Sequence, residues 1–168
     1  MQRRDELPDE ALRSAGTMNP EAYIVGFVAP HIRVPVQRQP EWLMLYAARL
    51  QELIAAGVAA PGWNGHGARP LQREAVELGL RVLASLYQGA EARPFPWIVP
   101  TFRGGLQCEW HQGGVDLEID IDPNGSVEVV FTDNVEQKEW DGSLTEREWE
   151  VHSCLDRLAG VGAAPIDS

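Results

Sequence analysis

Four histidines, two cysteines and a set of strand-borne carboxylates are the residues of this 168-residue chain with chemistry to offer. His31, His66, His111 and His152 show no HxH, HxxxH or HExxH spacing, so no zinc site is built locally. Cys108 and Cys154 form no CxxC pair. Cys108 alternates with Leu106 and Trp110 on an apolar side, and Cys154 falls near an apolar helix stripe; such settings disfavour the thiolate a nucleophile needs. Serine supplies no GxSxG elbow, and the glycines give neither a phosphate loop nor a dinucleotide fingerprint. Charge and hydrogen bonding are what remain. His111 is placed to approach Asp116 across a turn, a Gly113-Gly114 turn brings Glu109 near Glu118, and Asp120 falls opposite Glu128. Like charges across a strand pair destabilise by tenths of a kcal/mol up to about 1 kcal/mol. Water can screen them, or a cation or basic partner can neutralise them. A flat sheet face offers an ion no cavity, so neither metal nor cofactor is expected.

A second candidate is the loop "PGWNGHGARP", residues 61–70. Its glycines permit left-handed dihedrals and close backbone approach, and Asn64-Gly65 is a strong turn pair. Read as structure, the loop joins two helices and is stapled to the sheet by Trp63. Read as function, it is a rigid platform presenting Trp63, Asn64, His66 and Arg69 to a partner.

The elements that position these residues follow from hydrophobic period. "PEWLMLYAARLQELIAAGV" predicts a helix with Trp42, Tyr46, Leu50, Leu53 and Ile54 as its apolar stripe and Gly57 at its end. "PLQREAVELGLRVLASLYQG" predicts a second, striped by Val76, Leu80, Leu83 and Tyr87 and stopped at Gly89. From Ile98 the period becomes two. "LQCEWH", "VDLEIDI" and "SVEVVF" alternate, with turn signals "RGG", "QGG" and "DPNG" around them, which predicts an antiparallel meander with one wet face. A two-residue loop at "DPNG" would break the apolar parity. A three-residue loop with Gly125 left-handed sets Ile121 opposite Val127 and keeps every apolar residue on one side. "SLTEREWEVHSCLDRLAG" predicts a last helix with a Ser143/Glu146 or Thr145/Glu148 capping box, a Val151, Leu155, Leu158 stripe and a stop at Gly160.

The expectation is therefore an α+β fold: a meander of about four strands packed against two central helices and a C-terminal helix. A single domain is expected over 21–160, with a flexible arm over 1–20 and a loose tail over 161–168. "AYIVGFVA" and "IRVPVQ", interrupted by Pro30 and Pro35, are expected as extended or edge segments.

A net charge of −11, from 25 acidic against 14 basic residues, argues against a surface that tracks phosphates. No apolar run is long enough to span a membrane, and "MQRRDELPDEALRSAG" lacks the hydrophobic region of a secretory signal. A cytoplasmic protein with reduced thiols is expected, with no direct nucleic-acid or membrane binding.

"GWNGHGARP", a helix, and then "VPTFRGGLQCEWHQGGVDLEIDIDPNGSVEV" resemble an uncharacterised set of small bacterial and phage-related proteins. Their shared pattern is a W-[DN]-G-x-G-A-x-P loop and a GG-L-x-x-E-W strand. The resemblance rests on Trp63, Gly65, Gly67, Ala68, Pro70, Gly104, Gly105, Glu109, Trp110 and Gly125, over roughly residues 60–131. It implies no established activity. The functional expectation is a non-catalytic acidic module that binds a protein, such as a basic toxin or a nucleic-acid-binding protein. Its contact residues are Trp63, Asn64, His66, Arg69, Glu109, His111, Asp116, Glu118, Asp120 and Glu128. The alternatives are a hydrolase or nuclease-like enzyme using His66 and His111 with Glu109 or Asp116, and a structural subunit of a larger assembly that exposes "YIVGFVA".

Overall fold

Residues 39–161 are described by a computed structural model. The arm, the two apolar runs before Gln39 and the tail beyond Val161 lie outside the described residues.

Helix α1 spans Glu41–Ala55 and buries Leu43, Tyr46, Ala47, Leu50 and Leu53. The stripe is rotated from the expected one. Leu43 and Ala47 replace Trp42, which is half-buried, and Ile54, which is 50% exposed. Gly57 N–H bonds to Ile54 O at 2.9 Å and Val58 N–H to Leu53 O at 3.2 Å, so the last carbonyls are satisfied by a Schellman ending. Helix α2 spans Arg73–Leu86 and packs Ala75, Val76, Gly79, Val82, Leu83 and Leu86 inward, with Leu80 only half-buried. The hydroxyl of Tyr46 on α1 donates to Val76 O on α2 at 2.7 Å, which fixes the two helices against each other. Burial holds that phenol well above its ordinary pKa, so it stays a donor.

Five strands follow, one more than expected: β1 Trp97–Pro100, β2 Leu106–Gln112, β3 Val115–Ile121, β4 Val127–Asp133 and β5 Lys138–Ser143. They form one antiparallel sheet in sequence order, with short turns between neighbours. At "DPNG" the longer loop holds. Gly125 has φ +101°, Asp122 N–H bonds Ser126 O at 3.0 Å, and Ile121 pairs with Val127. Helix α3, Leu144–Val161, runs through Gly160 and one residue into the expected tail. Ser143 N–H reaches Glu146 Oε2 at 3.4 Å, one arm of the expected capping box.

The three helices share one face of the sheet. α1 lies on β1 and α2, α2 on β2 and β3, and α3 on β4 and β5. Ile98, Leu106, Cys108, Leu117, Ile119, Ile121 and Val129 are fully buried beneath them. Each edge strand is closed by an arginine from a helix. Arg49 Nε donates to Ile98 O at 2.8 Å and its guanidinium lies 4.7 Å over the Trp97 ring. Arg147 Nε donates to Asp141 O at 3.0 Å and lies 5.7 Å over Trp140. An open edge invites strand addition; these arginines occupy an edge carbonyl on each side.

Candidate functional site

The loop of residues 61–70 and the β1–β2 turn, separated by residues 71–100, are welded into one corner. Within the loop, Asn64 Oδ1 accepts from the backbone N–H of His66 at 2.9 Å and of Ala68 at 3.1 Å. Gly62 N–H bonds Ala68 O at 2.7 Å. Between loop and turn, Arg69 N–H bonds Phe102 O and Gln72 N–H bonds Gly104 O, both at 2.9 Å. This docking requires the first of the turn's two glycines, and close approach to β3 requires the second. A Cβ on Gly104, whose φ is +86°, would stand 2.6 Å from Pro70 O, and one on Gly105 would stand 2.4 Å from Ile121 O. The glycine-rich loop and the glycine turn are thus two halves of one contact.

Trp63 is half-buried, and its Nε1–H donates to Arg69 O at 3.0 Å, so the indole braces the loop across six residues. The residue that enters the core is Ala68, 3% exposed. Asn64, His66 and Arg69 stand at the surface, as expected of a presented loop.

On the outer face of the sheet the registers put Glu109 opposite Glu118, Asp120 opposite Glu128 and His111 opposite Asp116. With Glu139 and Asp141 from β5, seven carboxylates occupy that face. Two basic groups answer them. Arg103, from the β1–β2 turn, bonds Asp120 Oδ2 and Asp122 Oδ2, each at 3.0 Å. His111 Nδ1 lies 2.7 Å from Asp116 Oδ1 and its Nε2 lies 3.3 Å from Glu109 Oε2. The hydrogen bond to Asp116, then that to Glu109, raises the imidazole pKa above its ordinary value. Asn134 Nδ2 also reaches Asp116 Oδ2, at 3.2 Å, from the β4–β5 turn. Asp120 Oδ1 is shut off from solvent without a hydrogen-bond partner among the described residues. Among those residues no three His, Cys, Asp or Glu side chains are grouped to hold a metal ion.

His66 and His111 sit at opposite ends of the sheet. The loop carrying His66 docks beside the start of β2, and His111 follows Leu106 by five residues, about 17 Å of strand. Glu109, His111 and Asp116 meet; His66 is not brought to them. Neither cysteine is poised for attack. Cys108 is fully buried and its thiol is pushed up to about 12, and burial also raises that of Cys154.

Several polar groups escaped sequence reading. Arg93 is buried and bonds Asp156 Oδ1 at 2.6 Å, His152 Nδ1 at 2.8 Å and Leu86 O. A guanidinium only donates, so Nδ1 of His152 accepts. The i,i+4 spacing of His152 and Asp156 on α3 was the available signal. Asp133, 2% exposed, accepts from the backbone of Val135 and Glu136 and from Arg157, and the Glu136 N–H is the largest cause of its lowered pKa. Both clusters hold elements together. Two grooves are present elsewhere: one of about 250 Å³ lined by Phe131, Trp140 and Trp149, and one of about 610 Å³ lined by Trp42, Tyr87 and Phe95. None of the candidate contact residues lines either.

Comparison with known protein families, curated sequences and solved structures finds no match for this chain. No helix among the described residues is long and apolar enough to cross a membrane.

Proposed function

We propose that this chain is a non-catalytic acidic module that captures a basic protein partner on the outer face of its sheet. The observation that carries this reading is the acidic outer face: seven carboxylates answered, among the described residues, by Arg103 and His111, with all three described helices on the other side. The position of Asp120 adds support. It faces Glu128 and keeps one oxygen unsatisfied, an arrangement that costs stability by about 1–3 kcal/mol. Residues kept against stability are the ones to suspect of function. The closed edges favour a face-on contact over strand addition.

Roles that fit such a module are antitoxin, immunity factor, inhibitor or subunit of a bacterial defence complex, in the cytoplasm, with a toxin or nucleic-acid-binding protein as partner. The resemblance to the uncharacterised bacterial and phage-related set is part of the same proposal. The hydrolase alternative draws on His66 and His111 together, and their separation along β2 weighs against it.

The test uses an arginine-rich peptide as probe, measured by titration calorimetry at physiological salt. Wild type binds, with affinity falling as salt rises, because rim charges act through screened Coulomb attraction. The D120K/E128K double variant loses binding while its thermal melt stays cooperative. Undiminished binding in that variant rejects the acidic face as the contact surface. Affinity purification from the native host then identifies the partner.

A further inference from the structure

One exposed apolar residue of the welded corner is not explained by folding. Phe102 is 68% exposed at the tip of the β1–β2 turn. A single exposed apolar side chain is ordinary and needs no account. What distinguishes this one is how firmly its surroundings are held. Its carbonyl takes the Arg69 N–H, Thr101 and Gly105 bond each other across the turn (Thr101 N–H to Gly105 O, 3.0 Å; Gly105 N–H to Thr101 Oγ1, 3.0 Å), and Arg103 lies 5.6 Å over the phenyl ring. Arg69 in turn takes the indole N–H of Trp63 on its own carbonyl. The backbone beneath Phe102 is therefore tied through Arg69 to the Trp63 indole by one short hydrogen-bonded path. Trp, Tyr and Arg are the side chains enriched where binding energy concentrates, and a preorganised aromatic loses little entropy on docking. Arg103 also ties this corner to Asp120 and Asp122, so a partner lying on the carboxylates reaches the ring.

We infer that Phe102, with Arg103 over its ring, is the apolar anchor of the partner interface. The partner surface it fits is basic and carries an aliphatic or aromatic socket beside its charges. This inference rests on the acidic-face reading and adds to it a demand that charge alone does not make. It also separates the intended partner from any polycation, because only a surface with both features satisfies face and corner together.

Two short peptides of equal charge test it, one alternating Arg with Leu and the other Arg with Ser. Wild type is expected to bind the Arg-Leu peptide about thirtyfold tighter, the size of one hot-spot contact. In F102S the two affinities become equal with the thermal melt unchanged, since the ring is mostly in water; F102Y retains the preference. A preference that survives in F102S, or its absence in wild type, overturns the anchor while leaving the acidic face standing. Binding of neither peptide overturns both. Concentration-dependent self-association that disappears in F102S makes the ring a contact between copies and overturns the partner assignment.

Discussion

The two ends of the outer face solve the same electrostatic problem with different chemistry. At the β1–β2 end, Asp120 and Asp122 share Arg103, a guanidinium that stays charged at every accessible pH. At the β2–β3 end, Glu109 and Asp116 share His111, whose charge depends on pH near neutrality. The first end is locked to the Trp63 loop by two backbone hydrogen bonds, whereas the second is held to the β4–β5 turn by Asn134, through its backbone N–H to Gly114 O at 2.9 Å and through its side chain. One end fixes both charge and shape; the other leaves its charge adjustable. A partner contact that needs a constant anchor is better placed at the first.

The largest effect is expected from breaking the weld. Gly105→Ala drives a Cβ against Ile121 O and Thr101 Oγ1, and overpacking against backbone costs about 3 kcal/mol. For a chain of this size that lowers Tm by roughly 10 °C. Calorimetry checks it, and a Tm unchanged within a degree or two shows that the turn is not held as described. At the other end a Cβ on Gly114 would meet Val135 Cγ2 at 2.8 Å, a side-chain tip and not backbone, so the demand for close approach there is weaker.

Much of this was legible in the sequence, and the exceptions share a cause. The alternation of Val115, Leu117, Ile119 and Ile121 dictated β3 and its wet face, and parity at "DPNG" dictated the loop. β5 was missed because "KEWDGS" alternates without an apolar partner set. It is an edge strand held by pairing with β4, and Trp140 is only half-buried. On α1 the stripe was placed one step round, since Trp42 and Leu43 satisfy the same spacing and only the sheet chooses between them. The corner was invisible for a different reason. Phe102 and Arg103 gain meaning from Arg69 and Asp120, and no local period reports a contact between a loop and a turn so distant in sequence.

An intermediate effect separates the two ends by charge. Arg103→Ala removes the only guanidinium described on the outer face, so the face becomes one charge more acidic. The arginine-rich peptide is expected to bind a few-fold tighter at low salt, with stability changed by less than about 1 kcal/mol because the pair is half exposed. That sign is opposite to the effect of D120K/E128K. Weaker binding in R103A means that Arg103 acts through the placement of Phe102 more than through its charge, which the R103K variant distinguishes by restoring charge without the planar stack.

The smallest effect belongs to His111, and its two consequences run in opposite directions. Because the folded pKa is raised, its ion pairs with Asp116 and Glu109 contribute stability that is fully present below the ordinary histidine value. That contribution is lost as pH rises through the raised one. Over the same interval the outer face loses a positive charge, so affinity for an arginine-rich peptide rises. The ring is half exposed and water screens it, so a change of only about twofold in affinity is expected. Two-dimensional NMR of the imidazole gives the titration directly, and H111Q provides the control: its stability and affinity should both stay level across that interval. If wild-type affinity is as flat as that of H111Q while the imidazole titrates, the partner does not approach the β2–β3 end, and the contact is confined to the β1–β2 end beside Phe102.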